Sequence, residues 1–196
     1  MRYTQVAADA FSKLQLNAGV ILDEFDPANP PSTDEQKEAM RTHIVAATGG
    51  GVSFTATPSF VDYGEDIDNV PANTKELNHL ESYEVKMSGT GKTVDKNFAA
   101  MLIAAADIDG NKVTPRNYLE LTDYNVLWWV GDYSDKNTGA NAGFCAIKID
   151  NALSTGGFSL KSNDSGKADF AFEFTGYYSL NDTDRVPFEV YIKDGE

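Results

Sequence analysis

The sequence predicts a mainly β protein, an antiparallel β-sandwich or barrel flanked by one α-helix. Near the C-terminal end, Phe170, Phe172 and Phe174 alternate with polar or small residues, and residues 187–192 alternate in the same way. Such period-two alternation directs one set of side chains to a buried face and the other to solvent. A polar connector joins the two runs, so we expect them to form an antiparallel pair. Similar short runs upstream are separated by turns rich in Gly, Asn, Asp and Ser, as is typical of all-β domains.

The N-terminal part of the chain is predicted to contain little regular structure before its first long strand. We expect an arm over about residues 1–15, followed by extended chain and a proline-rich loop. Residues 34–44 have a composition compatible with a short exposed helix, for which Thr33 or Asp34 is a suitable N-cap. A run of three glycines then breaks the chain before a strand at 52–57.

A long loop is predicted over about residues 62–82. The stretch is acidic and polar, yet it contains Ile67, Val70, Leu77 and Leu80. A loop of this length inside a compact domain is uncommon, and it is usually functional or disordered. We expect this loop to become ordered against a neighbouring subunit.

A strand at 82–90 is expected to lead into the flanking α-helix at about residues 95–106. The strand alternates between apolar and polar side chains, and the period then changes to that of a helix with one apolar stripe. This stripe consists of Phe98, Met101, Leu102 and Ala105, and Asp95 or Thr93 is suited to cap the helix. Further short strands are expected near 119–121, 126–130, 143–149, 157–161, 168–177 and 188–192.

Length and composition indicate one domain spanning residues 1–196, with a core that needs no disulfide or metal. Cys145 is the only cysteine and lies within an apolar run, so we expect a small buried hydrophobic residue. The formal net charge of −14 argues against a protein that grips nucleic acid, because phosphate binding requires clustered Lys and Arg. No window approaches a membrane span, which leads us to expect a reducing, cytosol-like environment or a particle released by lysis.

The motifs that resemble catalytic or metal sites are incomplete. Gly89–Thr93 looks like a phosphate-binding loop, but that motif requires a glycine where the chain has Lys86. Asp107–Asn111 resembles the opening of a calcium loop and lacks the later ligands, so a turn after the helix is expected. His43 and His79 lie in charged stretches without a serine or cysteine partner at recognisable spacing. We therefore expect no catalytic, cofactor or metal site.

Two adjacent tryptophans, Trp128 and Trp129, are the remaining candidates for a binding site. Together with Tyr124 and Tyr133 they have the composition of an aromatic sugar-binding platform. The favoured interpretation is that one tryptophan lies in the core and the other at a protein interface, where tryptophan is enriched.

Several segments resemble the major tail tube proteins of tailed bacteriophages and related prophages. The resemblance extends from about Leu16 to Ile192 and is one of overall pattern, because this family has no short diagnostic motif. The segments that carry it are 16–22, 48–54, 65–75, 101–107, 172–177 and 187–190.

This resemblance implies a non-enzymatic structural subunit that forms hexameric rings, which stack into a hollow tube for DNA ejection. Its partners would be copies of itself, the tape-measure protein and other tail proteins. DNA would pass through without specific binding. The net charge of −14 adds the hypothesis of an acidic lumen that repels the phosphates of DNA. The protein would be assembled in the host cytoplasm and reside in the tail of the virion.

The resemblance also suggests which residues face the lumen and which form contacts. Polar positions of the alternating strands would line the bore, namely Glu84, Lys86, Asp169, Glu173 and Thr175. The N-terminal arm and the long loop would form inter-subunit and inter-ring contacts, the latter through Glu65, Asp66, Asp68, Asn69, Asn73 and Thr74. Two alternatives stay open: a tube subunit of a contractile injection device, and a monomeric Ig-like or carbohydrate-binding sandwich that uses Trp128 and Trp129.

Overall fold

The computed structural model describes residues 10–15, 17–132 and 143–194. In chain order its strands and α-helices are β1 (Val20–Leu22), α1 (Asp34–Arg41), β2 (Ile44–Ala46), β3 (Thr48–Asp62), β4 (Asn78–Gly91), α2 (Lys96–Ile103), β5 (Ala106–Asp109), β6 (Lys112–Pro115), β7 (Asn125–Asp132), β8 (Phe144–Ser154), β9 (Ser159–Lys161), β10 (Asp169–Gly176) and β11 (Phe188–Lys193). Short 3₁₀ helices occupy Ala10–Lys13 and Leu121–Asp123. The fold is mainly β with antiparallel pairing, as predicted.

Nine strands of the described chain form one sheet that closes on itself. Their order is β2-β1-β7-β8-β10-β4-β3, with β11 added to β8 and β9 added to β10. β2 and β3 lie at opposite ends of this order, yet only Ala47 separates them along the chain. The carbonyl of Ala47 accepts a hydrogen bond from the amide of Lys92 at 2.6 Å, and its amide donates to Thr93 Oγ1 at 2.9 Å. The stretch 44–48 therefore joins the two ends of the sheet and makes it barrel-like at this level.

The enclosed side of the sheet forms the main hydrophobic core. Helix α2 packs against it through Phe98 and Leu102, both fully buried. The other buried members of this core are Ile21, Ala46, Val85, Met87, Leu127, Ile149, Ala152, Phe170, Phe172 and Phe174. A second cluster lies on the opposite face of β1, β7 and β8, where the segment containing Phe25 and Met40 covers Trp128 and Val130. As a result, β7 is covered on both of its faces.

Both predicted helices are present, so two α-helices of the described residues flank the sheet, where the predicted fold class had one. In α2 the Asp95 carboxylate accepts a hydrogen bond from the Phe98 amide at 2.7 Å, which confirms the predicted cap. The helix ends at Ile103, before its predicted end, because Ala104 adopts a left-handed conformation with φ of 74°. Helix α1 begins with a capping box, in which Thr33 and Gln36 satisfy each other's backbone amides.

The predicted pairing of the two C-terminal runs is wrong. β10 pairs with β4, β8 and β9, whereas β11 pairs with β8. β8 is 11 residues long, and one of its edges holds β11 along Phe144–Ile149 and β10 along Ala152–Ser154. The connector between β10 and β11 is thus not a hairpin turn. It links two strands that pair with successive parts of the same edge of β8.

Two local predictions also differ from the structure, and a third is confirmed in a different context. The predicted loop at 62–82 is shorter, because β4 begins at Asn78 and pairs with Asp62 of β3. The predicted strand at 119–121 is wrong, since Leu121 opens a 3₁₀ turn and is 91% exposed. The expected turn at Gly110-Asn111 is confirmed, but it joins β5 and β6, a hairpin that lacks a clear apolar alternation in the sequence.

Candidate assembly surfaces

The outer half of the β3–β4 hairpin, residues 58–82, extends beyond the rest of the sheet. We call it the arm, and it is distinct from the N-terminal arm predicted over residues 1–15. β10 follows β4 only from Gly91 to Val85, and the β4 residues beyond that point have β3 as their strand partner among the described residues. The side chains of Pro58 to Phe60 and of Asn78 to Glu81 are exposed. A two-stranded ribbon without a covered face is marginally stable by itself, so the arm is suited to be completed by another surface.

The turn of the arm is ordered within a single chain. Asp62 organises it, because its two carboxylate oxygens accept hydrogen bonds from the amides of Gly64 and Asn73, each at 2.8 Å. The Tyr63 amide donates to the Leu77 carbonyl at 3.0 Å, which closes the base of the turn. These hydrogen bonds all lie within one chain. The turn therefore does not need a neighbouring subunit in order to become ordered.

The six predicted contact residues all lie in this turn. Five of them, Glu65, Asp66, Asp68, Asn69 and Asn73, are exposed. The sixth, Thr74, is half-buried, and its hydroxyl donates to the Pro71 carbonyl at 2.7 Å. Asn69 and Asn73 have φ angles of 65° and 60°, a left-handed conformation that asparagine adopts more readily than most residues. These two asparagines thus have a role in shaping the turn, whatever the arm contacts.

The arm also carries an exposed apolar pair that sequence reasoning missed. Phe60 and Leu80 are direct cross-strand partners, and their side chains are 59% and 40% exposed. Cross-strand partners lie on the same face of a sheet, so the two side chains form one apolar spot. The arm as a whole, residues 58–82, contains six acidic residues and one lysine. The arm is therefore an acidic projection with an apolar contact surface.

Four of the five predicted lumen residues lie together on one face of β4 and β10. Val85, Met87, Phe172 and Phe174 fill the core, so the alternate positions point away from it. Lys86 pairs in register with Thr55 on one side and Thr175 on the other, and Ser88 pairs with Ser53 and Glu173. The Thr155 hydroxyl donates to Glu173 Oε1 at 3.0 Å and lies 2.9 Å from the Thr175 hydroxyl. We call this surface, on strands β3, β4 and β10, the polar face.

The polar face is rich in hydroxyl groups and close to neutral. Its charged side chains are Glu84, Lys86 and Glu173, and Lys86 Nζ lies 2.5 Å from Glu84 Oε1. The hydrogen bond to Glu84 raises the pKa of Lys86 and so stabilises its charged form. The strong negative charge of the chain is therefore located elsewhere, with the arm as one large contributor.

Asp169, the fifth predicted lumen residue, lies at the end of β10 on the same side of the sheet. Its carboxylate forms an ion pair with Lys92, and its direct partner in β9 is Lys161. The hydrogen bond from Lys92 lowers the pKa of Asp169. Asp169 is thus engaged at the edge of the polar face and adds no uncompensated negative charge there.

Trp128 and Trp129 do not form the aromatic platform that the sequence left as the less favoured alternative. Trp128 is buried against Phe25 and Tyr191, with ring centroids 5.6 and 5.5 Å apart, so it is a core residue as favoured. Trp129 is half-buried on the other face of β7, and its indole N–H donates to the Ala18 carbonyl at 3.0 Å. The two rings therefore point to opposite faces of one strand. Of the two tyrosines proposed with them, Tyr124 packs on Tyr177 at a centroid distance of 5.7 Å, and Tyr133 lies outside the described residues.

The glycines of Gly89–Thr93 have a packing role. Gly89 and Gly91 belong to β4, where a Cβ atom would lie 2.7 Å from Phe172 Cζ and 3.0 Å from Phe98 Cε1 respectively. Only glycine leaves room for these rings against the backbone. Residues 89–91 are thus the end of a strand, and the turn to α2 begins at Lys92.

The other candidate ligands are engaged in local contacts. Asp107 pairs with Arg116, whose Nε lies 2.9 Å from the carboxylate, and its neighbours form the β5–β6 hairpin. His43 Nδ1 lies 2.8 Å from Asp23 Oδ1, and His79 stacks on Tyr63 at a centroid distance of 5.9 Å. Within the described residues, no group of three or more His, Cys, Asp or Glu side chains is arranged to hold a metal ion.

Comparisons with known proteins assign no family. A scan against protein-family models finds no match to the chain, and a search of curated proteins finds no relative. Both α-helices of the described residues have eight residues, and neither reaches the length and apolarity of a membrane span.

Proposed function

We propose that the chain is a non-enzymatic structural subunit of a phage tail tube, which forms hexameric rings that stack into a hollow conduit for DNA ejection. The observation that carries the proposal is the combination of the polar face with the arm that projects from the same strands. A subunit of a tube requires an inward surface that does not bind its cargo and an outward connection that does bind the next subunit. The segments that resemble tail tube proteins include parts of both surfaces.

The chemistry of the polar face fits a lumen through which DNA slides. A basic surface would hold the phosphates, whereas the one lysine of this face is compensated by Glu84. Hydroxyl groups remain hydrated and form exchangeable hydrogen bonds without attracting a polyanion over a distance. With Glu84 and Glu173 against Lys86, the polar face has one net negative charge, so a bore lined by it would be weakly acidic and DNA would not adhere to it.

Unpartnered strand edges and the arm supply the connections between copies. β3, β9 and β11 each have one strand edge without a partner among the described residues. Such edges are normally protected, and in a ring they can be completed by an identical neighbour. A heterologous contact that closes by rotation generates a ring, and a second such contact stacks rings into a filament. The proposed partners are accordingly further copies of the chain. The resemblance to tail tube proteins adds the tape-measure protein and other tail proteins, within a virion tail assembled in the host cytoplasm.

Electron microscopy of the purified protein, together with light scattering, tests this function directly. Rings or tubes with six-fold symmetry are expected, and a monomer at every concentration would contradict the proposal. A monomer that binds glycans would favour the sandwich module instead, although Trp128 and Trp129 do not form a common platform. A tube subunit of a contractile device would also form rings, but it would in addition bind a sheath protein.

Deletion of Gly64–Thr74 tests the role of the arm within the same assay. The amide of Tyr63 and the carbonyl of Leu77 are already hydrogen-bonded, so a shorter turn can join the two strands there. We expect a folded subunit that no longer forms tubes. Tubes of normal length from this variant would show that the turn makes no essential contact.

A further inference from the structure

A second exposed apolar surface lies on β9, at an edge of the sheet. β9 pairs with β10 through Leu160 and Phe170, and its opposite edge has no strand partner among the described residues. Leu160 is 53% exposed and Phe158 is 48% exposed, although Phe158 also contacts the core ring of Phe170 at 6.2 Å. We call Phe158–Lys161 with Lys167 the β9 edge.

The β9 edge is basic in a chain that is otherwise strongly acidic. Lys161 and Lys167 are both exposed and lie beyond Leu160 at the same end of β9, with the exposed Asp164 between them along the chain, which leaves one net positive charge there. The nearby Asp169 carboxylate forms its ion pair with Lys92 and not with these two lysines. The β9 edge and the arm therefore have the same kind of apolar surface and opposite charge, since the arm has six acidic residues and one lysine.

The two surfaces lie at opposite ends of one pair of strands. β9 sits beside Asp169–Ala171 of β10, and Phe170 in turn pairs with Gly91 at one end of β4. The turn of the arm lies beyond the other end of β4, which is at Asn78. At a rise of about 3.3 Å per residue, β4 separates the two surfaces by about 40 Å. A single copy cannot join surfaces that are so far apart on rigid strands, but two copies in line can.

We propose that the arm of one copy docks on the β9 edge of the next copy along the tube. The inference rests on the proposed function and specifies which surfaces connect successive rings. Phe60 and Leu80 would pack on Phe158 and Leu160. The acidic turn would lie against Lys161 and Lys167. Because the two surfaces differ, the contact is heterologous and repeats in one direction, which produces a polar stack. Opposite charges at its rim accelerate association and disfavour the reversed orientation.

Charge reversal on each side, and then on both, tests this contact. The variant Lys161→Glu with Lys167→Glu is expected to weaken stacking at least about tenfold, because it places acidic groups against the acidic turn. Adding Asp66→Lys and Asp68→Lys to that variant is expected to restore stacking. The control Lys112→Glu makes the same kind of charge change on an exposed β6 residue and should leave stacking unaffected. Sedimentation velocity and electron microscopy measure the assemblies, and circular dichroism checks that each variant is folded.

A mixing experiment tests the head-to-tail direction. Phe60→Ser with Leu80→Ser removes the apolar surface of the arm, whereas Lys161→Glu with Lys167→Glu reverses the charge of the β9 edge. Each variant alone should fail to stack, but a mixture should form a species of twice the mass of either, since one intact arm meets one intact edge. Longer stacks are not expected from the mixture.

The outcomes separate this inference from the proposed function. If the unmodified protein forms tubes and the lysine reversal forms tubes of the same length, the docking contact is wrong and the tube function stands. The same conclusion follows if the lysine reversal blocks stacking and the addition of Asp66→Lys and Asp68→Lys fails to restore it. If the unmodified protein stays monomeric at every concentration, the proposed function fails and the docking contact fails with it.

Discussion

The substitution Asp62→Ala should loosen the arm without affecting the rest of the fold. Asp62 accepts hydrogen bonds from the amides of Gly64 and Asn73, each at 2.8 Å, and its replacement removes both. A hydrogen bond of this kind contributes about 1 kcal/mol net, so the closed turn should lose about 2 kcal/mol. Since 1.4 kcal/mol corresponds to a factor of ten, the opening equilibrium of the turn should rise about 30-fold.

Native-state hydrogen exchange measured by mass spectrometry reports this opening. Peptides from residues 63–77 contain the amides of Ile67, Val70 and Leu77, which donate to carbonyls within the turn. Their exchange should accelerate about 30-fold, while peptides from β10 should keep their protection because β10 lies in the core. The concentration of urea at the unfolding midpoint should stay unchanged within error.

Asp66→Ala is the matched control, because it removes the same charge from an exposed position of the same turn. Equal acceleration in both variants would show that charge, and not the hydrogen bonds of Asp62, governs the turn. Unchanged exchange in Asp62→Ala would refute the assigned role of this carboxylate. A comparable loss of protection in β10 would show that the arm and the barrel unfold as one unit.

Three further predictions concern the barrel. Gly89→Ala should lower the free energy of unfolding by about 1–3 kcal/mol, measured by urea denaturation, because its Cβ would lie 2.7 Å from Phe172. Lys92 holds the pKa of Asp169 below its ordinary 3.8, so this ion pair stabilises the fold above about pH 4. That stabilisation should disappear as the pH falls through the lowered pKa, and Asp169→Asn should remove this part of the acid dependence in urea titrations. Burial raises the pKa of the Cys145 thiol above 9.0, so disulfide reagents at pH 8 should label the native protein more slowly than the unfolded chain.

Each of these predictions has its own comparison. Ser88→Ala, at the neighbouring outward position of β4, should cost much less stability than Gly89→Ala, and equal losses would contradict the packing argument. Identical acid profiles for Asp169→Asn and the unmodified protein would show that the ion pair does not stabilise the fold. Equal labelling rates for Cys145 in the native and unfolded states would show that the thiol is accessible.

Local patterns in the sequence were sufficient where the backbone itself sets the period. The alternation of Phe170, Phe172 and Phe174 correctly predicts a strand with one buried face, and the stripe with Phe98 and Leu102 correctly predicts a helix. The caps of both helices follow from short polar side chains that satisfy the first amides. These features depend on neighbours within four residues, so a single segment contains the required information.

Strand pairing was harder to predict from the sequence, because it depends on strand edges that distant segments contribute. Two alternating runs with a polar connector suggest a hairpin, yet β10 and β11 both pair with β8. The sequence of the connector does not reveal that β8 is long enough to hold both. The early end of the predicted loop has a similar origin, since β4 extends to Asn78 through pairing with β3 and not through its own alternation.

By itself the sequence determined that the chain is mainly β and that Glu84, Lys86, Glu173 and Thr175 avoid the core. It also limited the N-cap of one helix to Thr33 or Asp34 and that of the other to Asp95 or Thr93. Only the tertiary structure decided that these polar positions form one near-neutral surface, that Ala47 closes the sheet, and that Phe60 and Leu80 are exposed at one end while Leu160 is exposed at the other. The physical reason is that burial of a side chain depends on which strands lie beside its own. The backbone period selects the face on which a side chain lies, whereas the pairing of distant strands decides whether anything covers that face.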